Sequence, residues 1–193
     1  MTDADLVARA RQGDSAAFGE LVDRHRTAVY RATRAVLGSH AEAEDAAQDA
    51  FVVAYQRLAS FRGDASFKTW MLTIAWHQAI NRRRSLVRWW RRLAAPVRRE
   101  ESEESAHDEI RSTAPSPEQA AAGDELRRAI VGEIRRLSST LRDTLLLAQS
   151  GELTYEEIAA MTRVPVGTVK WRVSAARTVI KQRLRERGFA DVG

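Results

Sequence analysis

The sequence contains no cysteine, which excludes disulfides, thiolate metal sites and thiol nucleophiles together. Its four histidines, His25, His40, His77 and His107, are scattered without ligand spacing, and no glycine-rich phosphate loop is present. No window approaches the roughly 20 consecutive apolar residues that span a bilayer, so no membrane insertion is expected. The opening MTDADLVARARQGD lacks the basic segment and apolar core of a secretory signal. Strand-like alternation is missing throughout, as is any internal repeat. No convergent carboxylate or Ser/His arrangement is legible, so the protein is not expected to be an enzyme. These absences point to an all-α, cytoplasmic protein of bacterial type, expected to need neither metal nor cofactor.

What is present is charge, unevenly placed. The 193 residues suffice for one ordinary domain or two small ones, with a net charge of +5. Residues 1–93 carry 15 Lys/Arg against 10 Asp/Glu, and residues 126–193 carry 13 against 7. Between them, residues 94–125 carry 3 against 9. Two basic bodies joined by an acidic segment suit a polyanionic partner through counterion release, although solvated helix faces give the same balance. The intervening APVRREESEESAHDEIRSTAPSPEQ is rich in Ser, Glu and Pro, buries little, and reads as a flexible acidic linker over 96–124. The expected domains are therefore 1–95 and 125–193.

The first body reads as helices. Asp14 and Ser15 give cap signals before a run to about Leu37, with Gly38 as a stop. A second helix, about Ala41 to Ala59, carries Ala47, Ala50, Phe51, Ala54, Tyr55 and Leu58 on one stripe. Its other face shows Asp45, Gln48, Asp49, Val52 and Gln56, a mixture suited to a protein contact or to a plain solvated surface. The breakers Gly63 and Asp64 mark a loop, FRGDAS, before a third helix that starts near Ser66. That segment offers Lys68, Trp70, Trp76, His77, Asn81 and Arg82 to Arg84, aromatic rings beside cations and amides, as single-stranded DNA requires. Phe67, Trp70 and Ile74 also share one helical face, which predicts a buried role for Trp70. Trp89 and Trp90 adjoin arginines, which predicts partial exposure.

The second body starts near Glu125. Ile130, Ile134 and Leu137 give one apolar face, and LRDTLLLAQSG gives a further helix ending at Gly151. From about Leu153 to Leu184 the spacing predicts a helix-turn-helix. Thr154 and Glu157 form a capping-box pattern, TRVPVG supplies the turn, and Pro165 tolerates a first-turn position. With Val169 as the inward reference, Val173, Ala176, Ile180 and Leu184 fall on the same face. Lys170, Trp171, Ser174, Arg177, Thr178 and Lys181 then lie outward, as a major-groove helix requires. Trp171 has three readings: packing on DNA, covering the linker or a partner, or folding back on its own domain. Intramolecular packing is the preferred one.

Taken in order, EAEDAAQDAFVVAYQRLASFRGDASFKTWMLTIA, a charged linker and LTYEEIAAMTRVPVGTVKWRVSAAR resemble an extracytoplasmic-function sigma factor of the bacterial sigma-70 family. The resemblance covers nearly the whole chain outside the linker. It implies that Asp45, Gln48, Asp49 and Val52 dock on the RNA polymerase core. It implies that Phe61, Arg62, Gly63, Asp64 and Ser66, with Lys68, His77, Asn81 and Arg82, meet the melted minus-10 element of promoter DNA. It places Thr168, Lys170, Trp171, Arg172, Ser174, Arg177 and Lys181 on the minus-35 duplex, and LRDTLLLAQSG on the polymerase flap. His77 stands where some members have asparagine, and Trp171 where serine is commoner. An anti-sigma factor is a further partner that the resemblance allows. Two other classes stay readable from the residues alone: a stand-alone dimeric regulator, which would footprint DNA without polymerase, and a helical enzyme.

Overall fold

The computed structural model describes residues 1–93 and 117–189, the side chains of 87–122 and of residue 124 excepted. The chain divides into two compact units, Met1–Ala106 and His107–Gly193. Every regular element among the described residues is helical.

The first unit opens with α1 (Asp3–Arg11), which the composition did not suggest. Its start is fixed by a capping box in which the Thr2 hydroxyl accepts from the Asp5 N–H and the Asp5 carboxylate accepts from the Thr2 N–H. Helix α2 (Ser15–Leu37) is capped by Asp14 and ends at Gly38, whose φ of 75° is a left-handed conformation that favours glycine. Helix α3 (His40–Arg57) runs into a single 3-10 turn, Leu58–Ser60, and α4 (Phe67–Leu93) follows the FRGDAS loop.

Helices α2, α3 and α4 pack on one another, and α1 lies on α2. The buried stripe of α3 is Ala43, Ala46, Ala47, Ala50, Ala54 and Leu58. It is narrower than expected: Phe51 is half-buried, and Tyr55 is exposed, its ring edge-on to Phe18 at 4.9 Å. Alanines let α2 and α4 close on α3 from both sides, leaving no room within the seam for a larger ring. The fully buried Thr33 hydroxyl donates to the Ala43 carbonyl at 2.8 Å, pinning α2 to the first turns of α3. Leu21, Val29, Met71, Leu72 and Ala75 fill the centre.

In the second unit, α5 (Pro117–Arg136) begins inside the segment read as linker, with proline at its first position, where a missing N–H costs nothing. Residues 94–116, including most of the expected linker, and the side chains of Trp89 and Trp90 lie outside the described residues. Helices α6 (Ser139–Gln149), α7 (Tyr155–Thr162) and α8 (Val166–Glu186) complete the unit. Leu137, Leu145, Val173 and Ala176 form its core cluster, flanked by Ile134, Leu141, Tyr155, Val179 and Ile180.

One acid sits against this core. Glu133 is 1% exposed, and its Oε1 accepts from Arg136 at 2.9 Å and from Arg187 at 3.1 Å. Its Oε2 lies 3.5 Å from Arg183, an ion pair without a hydrogen bond. Two of these three arginines belong to the end of α8 or just beyond it, so a buried charge ties α5 to α8.

Candidate nucleic-acid interface

The helix-turn-helix forms as the spacing predicts. The Thr154 hydroxyl accepts from the Glu157 N–H, and the Glu157 carboxylate accepts from the Thr154 N–H at 2.9 Å. Helix α7 ends at Arg163 in the left-handed conformation, φ 55°, three residues before α8 begins at Val166. Pro165 then precedes α8, whose Val169, Val173, Ala176 and Leu184 are buried and whose Ile180 is half-buried. Lys170, Trp171, Ser174, Arg177 and Thr178 are exposed, while Lys181, Thr168 and Arg172 are half-buried at the edges of the same arc. A groove of about 250 Å³ runs along this arc, lined by Tyr155, Lys170, Val173, Ser174, Arg177, Thr178 and Lys181.

The cations of α8 and its C-terminal end are divided by face. Arg183 and Arg187 are engaged by Glu133, whereas Lys170, Arg177 and Lys181 make no ion pair among the described residues. Trp171 is 65% exposed. The expected packing of its indole against its own domain is therefore corrected. The ring points along the arc that Lys170 and Ser174 also line, away from the core seam of Val169 and Val173.

In the first unit the FRGDAS loop is built on an aromatic base. Phe61, half-buried, lies 5.1 Å from Trp70 and 5.9 Å from Phe67, ring centre to ring centre. Trp70 is half-buried against the Phe61 and Phe67 rings, less enclosed than the core residues Phe67 and Ile74 with which it shares a face. Arg62, Gly63, Asp64 and Ser66 are exposed, and Gly63 adopts a φ of 82° that a side chain would strain. The Ser66 hydroxyl accepts from the Thr69 N–H at 3.1 Å, so it also sets the start of α4.

Sequence reasoning missed Arg11. From α1 its guanidinium donates to the carbonyls of Leu58 (3.1 Å) and Phe61 and lies 5.9 Å from the Phe61 ring centre. It thereby fixes the near end of the loop. The Thr2–Asp5 capping box was the available signal for the helix that carries it.

Along α4 the candidates separate. Trp70, Thr73, His77, Asn81 and Arg84 share one stripe, with His77, Asn81 and Arg84 exposed. Lys68 is half-buried and lies on the opposite arc. Trp76, adjacent to His77, is 6% exposed and belongs to the core, not to the exposed stripe. Arg82 turns about 100° from Asn81, toward α3. There it donates to Glu42, to Asp45 at 2.8 Å and to Asp49 at 3.4 Å. These bonds, Glu42's first, hold the Arg82 pKa above its ordinary value, with burial opposing. Asp45, Gln48, Asp49 and Val52 are all exposed on α3, and Val52 is 56% exposed. Among the described residues no three His, Asp or Glu side chains converge as metal ligands would. None of the described helices is long and apolar enough to cross a membrane.

A helical unit with an exposed loop and a His77–Asn81–Arg84 stripe, followed by a helix-turn-helix unit whose Lys170, Arg177 and Lys181 make no ion pair among the described residues, fits a two-part DNA-binding protein. The family model for sigma-70 region 2 matches residues 21–93, and that for sigma-70 region 4 matches residues 127–179. The RNA polymerase sigma-H factor of Pseudomonas aeruginosa is 35% identical over 183 residues, covering 95% of this chain and 94% of its own. The ECF RNA polymerase sigma-E factor of Escherichia coli K12 is 36% identical over 186 residues, covering 96% and 95%. The structure of CnrH in complex with the cytosolic domain of CnrY is similar at a TM-score of 0.64 and 27% identity, covering 95% of this chain and 97% of that one. The sigma factor RpoE of Bartonella quintana, solved with the anti-sigma factor NepR, shares the fold at a TM-score of 0.62 and 21% identity, covering 87% and 96%. This chain belongs to the sigma-70 family as an extracytoplasmic-function sigma factor, a subunit that directs RNA polymerase to specific promoters.

Proposed function

We propose that the two units divide promoter recognition between them, at the residues the geometry brings out. Helix α8 enters the minus-35 major groove with Lys170, Trp171, Ser174, Arg177 and Lys181 foremost, and Thr168 and Arg172 at the edges. The loop Phe61 to Ser66 and the His77–Asn81 stripe receive unpaired minus-10 bases, whose extrusion costs a few kcal/mol each, offset by stacking and pocket contacts. Asp45, Gln48, Asp49 and Val52 dock on core polymerase. Arg82 steadies that acidic face from α4 in the free protein.

The observation that carries this reading is the division of cations on α8. Arg183 and Arg187 share the carboxylate of Glu133, whereas Lys170, Arg177 and Lys181, without an ion pair among the described residues, are left for phosphates and guanine edges. The protein performs no catalysis of its own in this account and works in the cytoplasm, where polymerase is. The boundaries 1–95, 96–124 and 125–193 belong to the same proposal. So does a regulatory partner of the anti-sigma kind, since RpoE is solved with one.

The test uses the full chain with core polymerase on a promoter selected from a randomised library. Arg177→Ala or Lys170→Ala lowers the slope of log affinity against log salt by about 1 per lost phosphate contact. His77→Asn shifts the preferred minus-10 base without changing that slope. Unchanged promoter binding and preference in all three variants would overturn the residue assignment.

A further inference from the structure

Trp171 is the most exposed large apolar side chain among the described residues, at 65%. It has no ring partner and no hydrogen-bond partner among them. On the face assigned to DNA, a ring left this exposed is placed to be covered by part of the ligand.

Its place on α8 selects what that is. With Trp171 as zero, Lys170, Arg177 and Lys181 lie about 80° to 120° to one side and Arg172 about 100° to the other. Within about 60° of the indole and within two turns of it stand Gly167, Thr168, Ser174, Ala175 and Thr178, all small, while Gln182, Arg185 and Glu186 share the arc only three or more turns further along. Cations thus flank the arc on both sides, where the phosphate walls of a major groove would be. The centre is shallow except for one projecting ring. In such a groove the walls carry charge and the floor carries base edges, where the apolar feature is the 5-methyl group of thymine.

We propose that Trp171 is a specificity-determining residue that reads thymine 5-methyl groups on the floor of the minus-35 groove. The inference rests on the assignment of α8 to that groove and adds the chemistry of one contact within it. Lys170 and Arg177 set register on the backbone, and the indole face converts a thymine into a preferred base without a hydrogen bond.

The experiment removes only the methyl. Wild-type protein and Trp171→Ser, each with core polymerase, are used to select active promoters from a library randomised across the minus-35 element. Each thymine in the selected element is then replaced by deoxyuridine. Burying one methyl group is worth about fourfold in affinity. Wild type therefore loses about fourfold in open-complex formation at one or two thymine positions, and Trp171→Ser loses none there. Trp171→Phe, which keeps an apolar ring, retains the sensitivity.

The inference is overturned if wild type selects no thymine in the element, or if deoxyuridine changes nothing. It is overturned equally if Trp171→Ser remains as methyl-sensitive as wild type. Weaker binding by Trp171→Ser without any methyl dependence assigns the ring to sugar or to protein, and also overturns it. Should no promoter be selected by wild-type protein at all, the assignment of α8 fails first, and that result is distinct from each of these.

Discussion

Replacing Glu133 with glutamine removes a buried carboxylate shared by Arg136, Arg183 and Arg187 while keeping its shape. Breaking a buried ion pair costs about 3–5 kcal/mol when the stranded charge stays buried. Here the arginine side chains are 64%, 41% and 47% exposed, so they rehydrate once released. The amide oxygen of glutamine also keeps an acceptor. What is lost is the charge on two hydrogen bonds and the third ion pair, leaving about 2 kcal/mol. Because the acid joins α5 to α8, that loss falls on the second unit alone. Hydrogen exchange on the full chain reads it directly: the slowest amides of α5 and α8 exchange about 30-fold faster, while those of α2 to α4 keep their rates. An acceleration below about twofold in α5 and α8 would refute the reasoning, as would an equal acceleration in both units.

Three other perturbations have definite outcomes. Arg163→Gly relieves a left-handed side-chain-bearing residue at the turn of the helix-turn-helix and stabilises the second unit by about 0.5–1 kcal/mol, seen as slower exchange in α7; faster exchange there would contradict the assignment. Arg82→Ala leaves Glu42, Asp45 and Asp49 facing one another and lowers the unfolding free energy of the first unit by about 1 kcal/mol at low salt, less at high salt, by denaturant titration; a salt-independent loss would point to packing instead. The Asp14 carboxyl is held below its ordinary 3.8 chiefly by the Ala17 N–H and next by Arg9. A depressed folded value means that its contribution is present above the unfolded value and is lost as pH falls through the folded one. Asp14→Asn therefore flattens the acid limb of thermal stability below about pH 4, and an unchanged limb would exclude Asp14 as a contributor.

The helix-turn-helix was legible because its determinants are local. A capping box at Thr154 and Glu157, a proline before the second helix and a period of 3.6 on α8 need no distant partner to interpret. The same holds for Asp14 and Gly38 at the ends of α2. Side assignments within α4 were less legible, since composition does not say which of two neighbours faces inward. Trp76 and His77 differ by about 100° on the helix, and only packing against α2 and α3 decides which is core. Arg82 sat in a basic run that read as a nucleic-acid face, yet the acids that hold it come from 33 to 40 residues earlier. Trp171 was expected to pack inward because an exposed indole is costly. Its 65% exposure leaves the other two readings, in which DNA or a partner covers it. Helix α1 was overlooked because it is only nine residues long, although its capping box was present in the first five residues.

The central claim is that this chain gives RNA polymerase its choice of promoter. The most direct measurement is transcription in vitro from a promoter library by core polymerase with and without the full-length protein. The account predicts transcripts from a defined subset of templates, each carrying a shared minus-35 and minus-10 pair, only when the protein is present. No added transcript from any template, or footprints on duplex promoters by the protein without polymerase and no initiation with it, would contradict it.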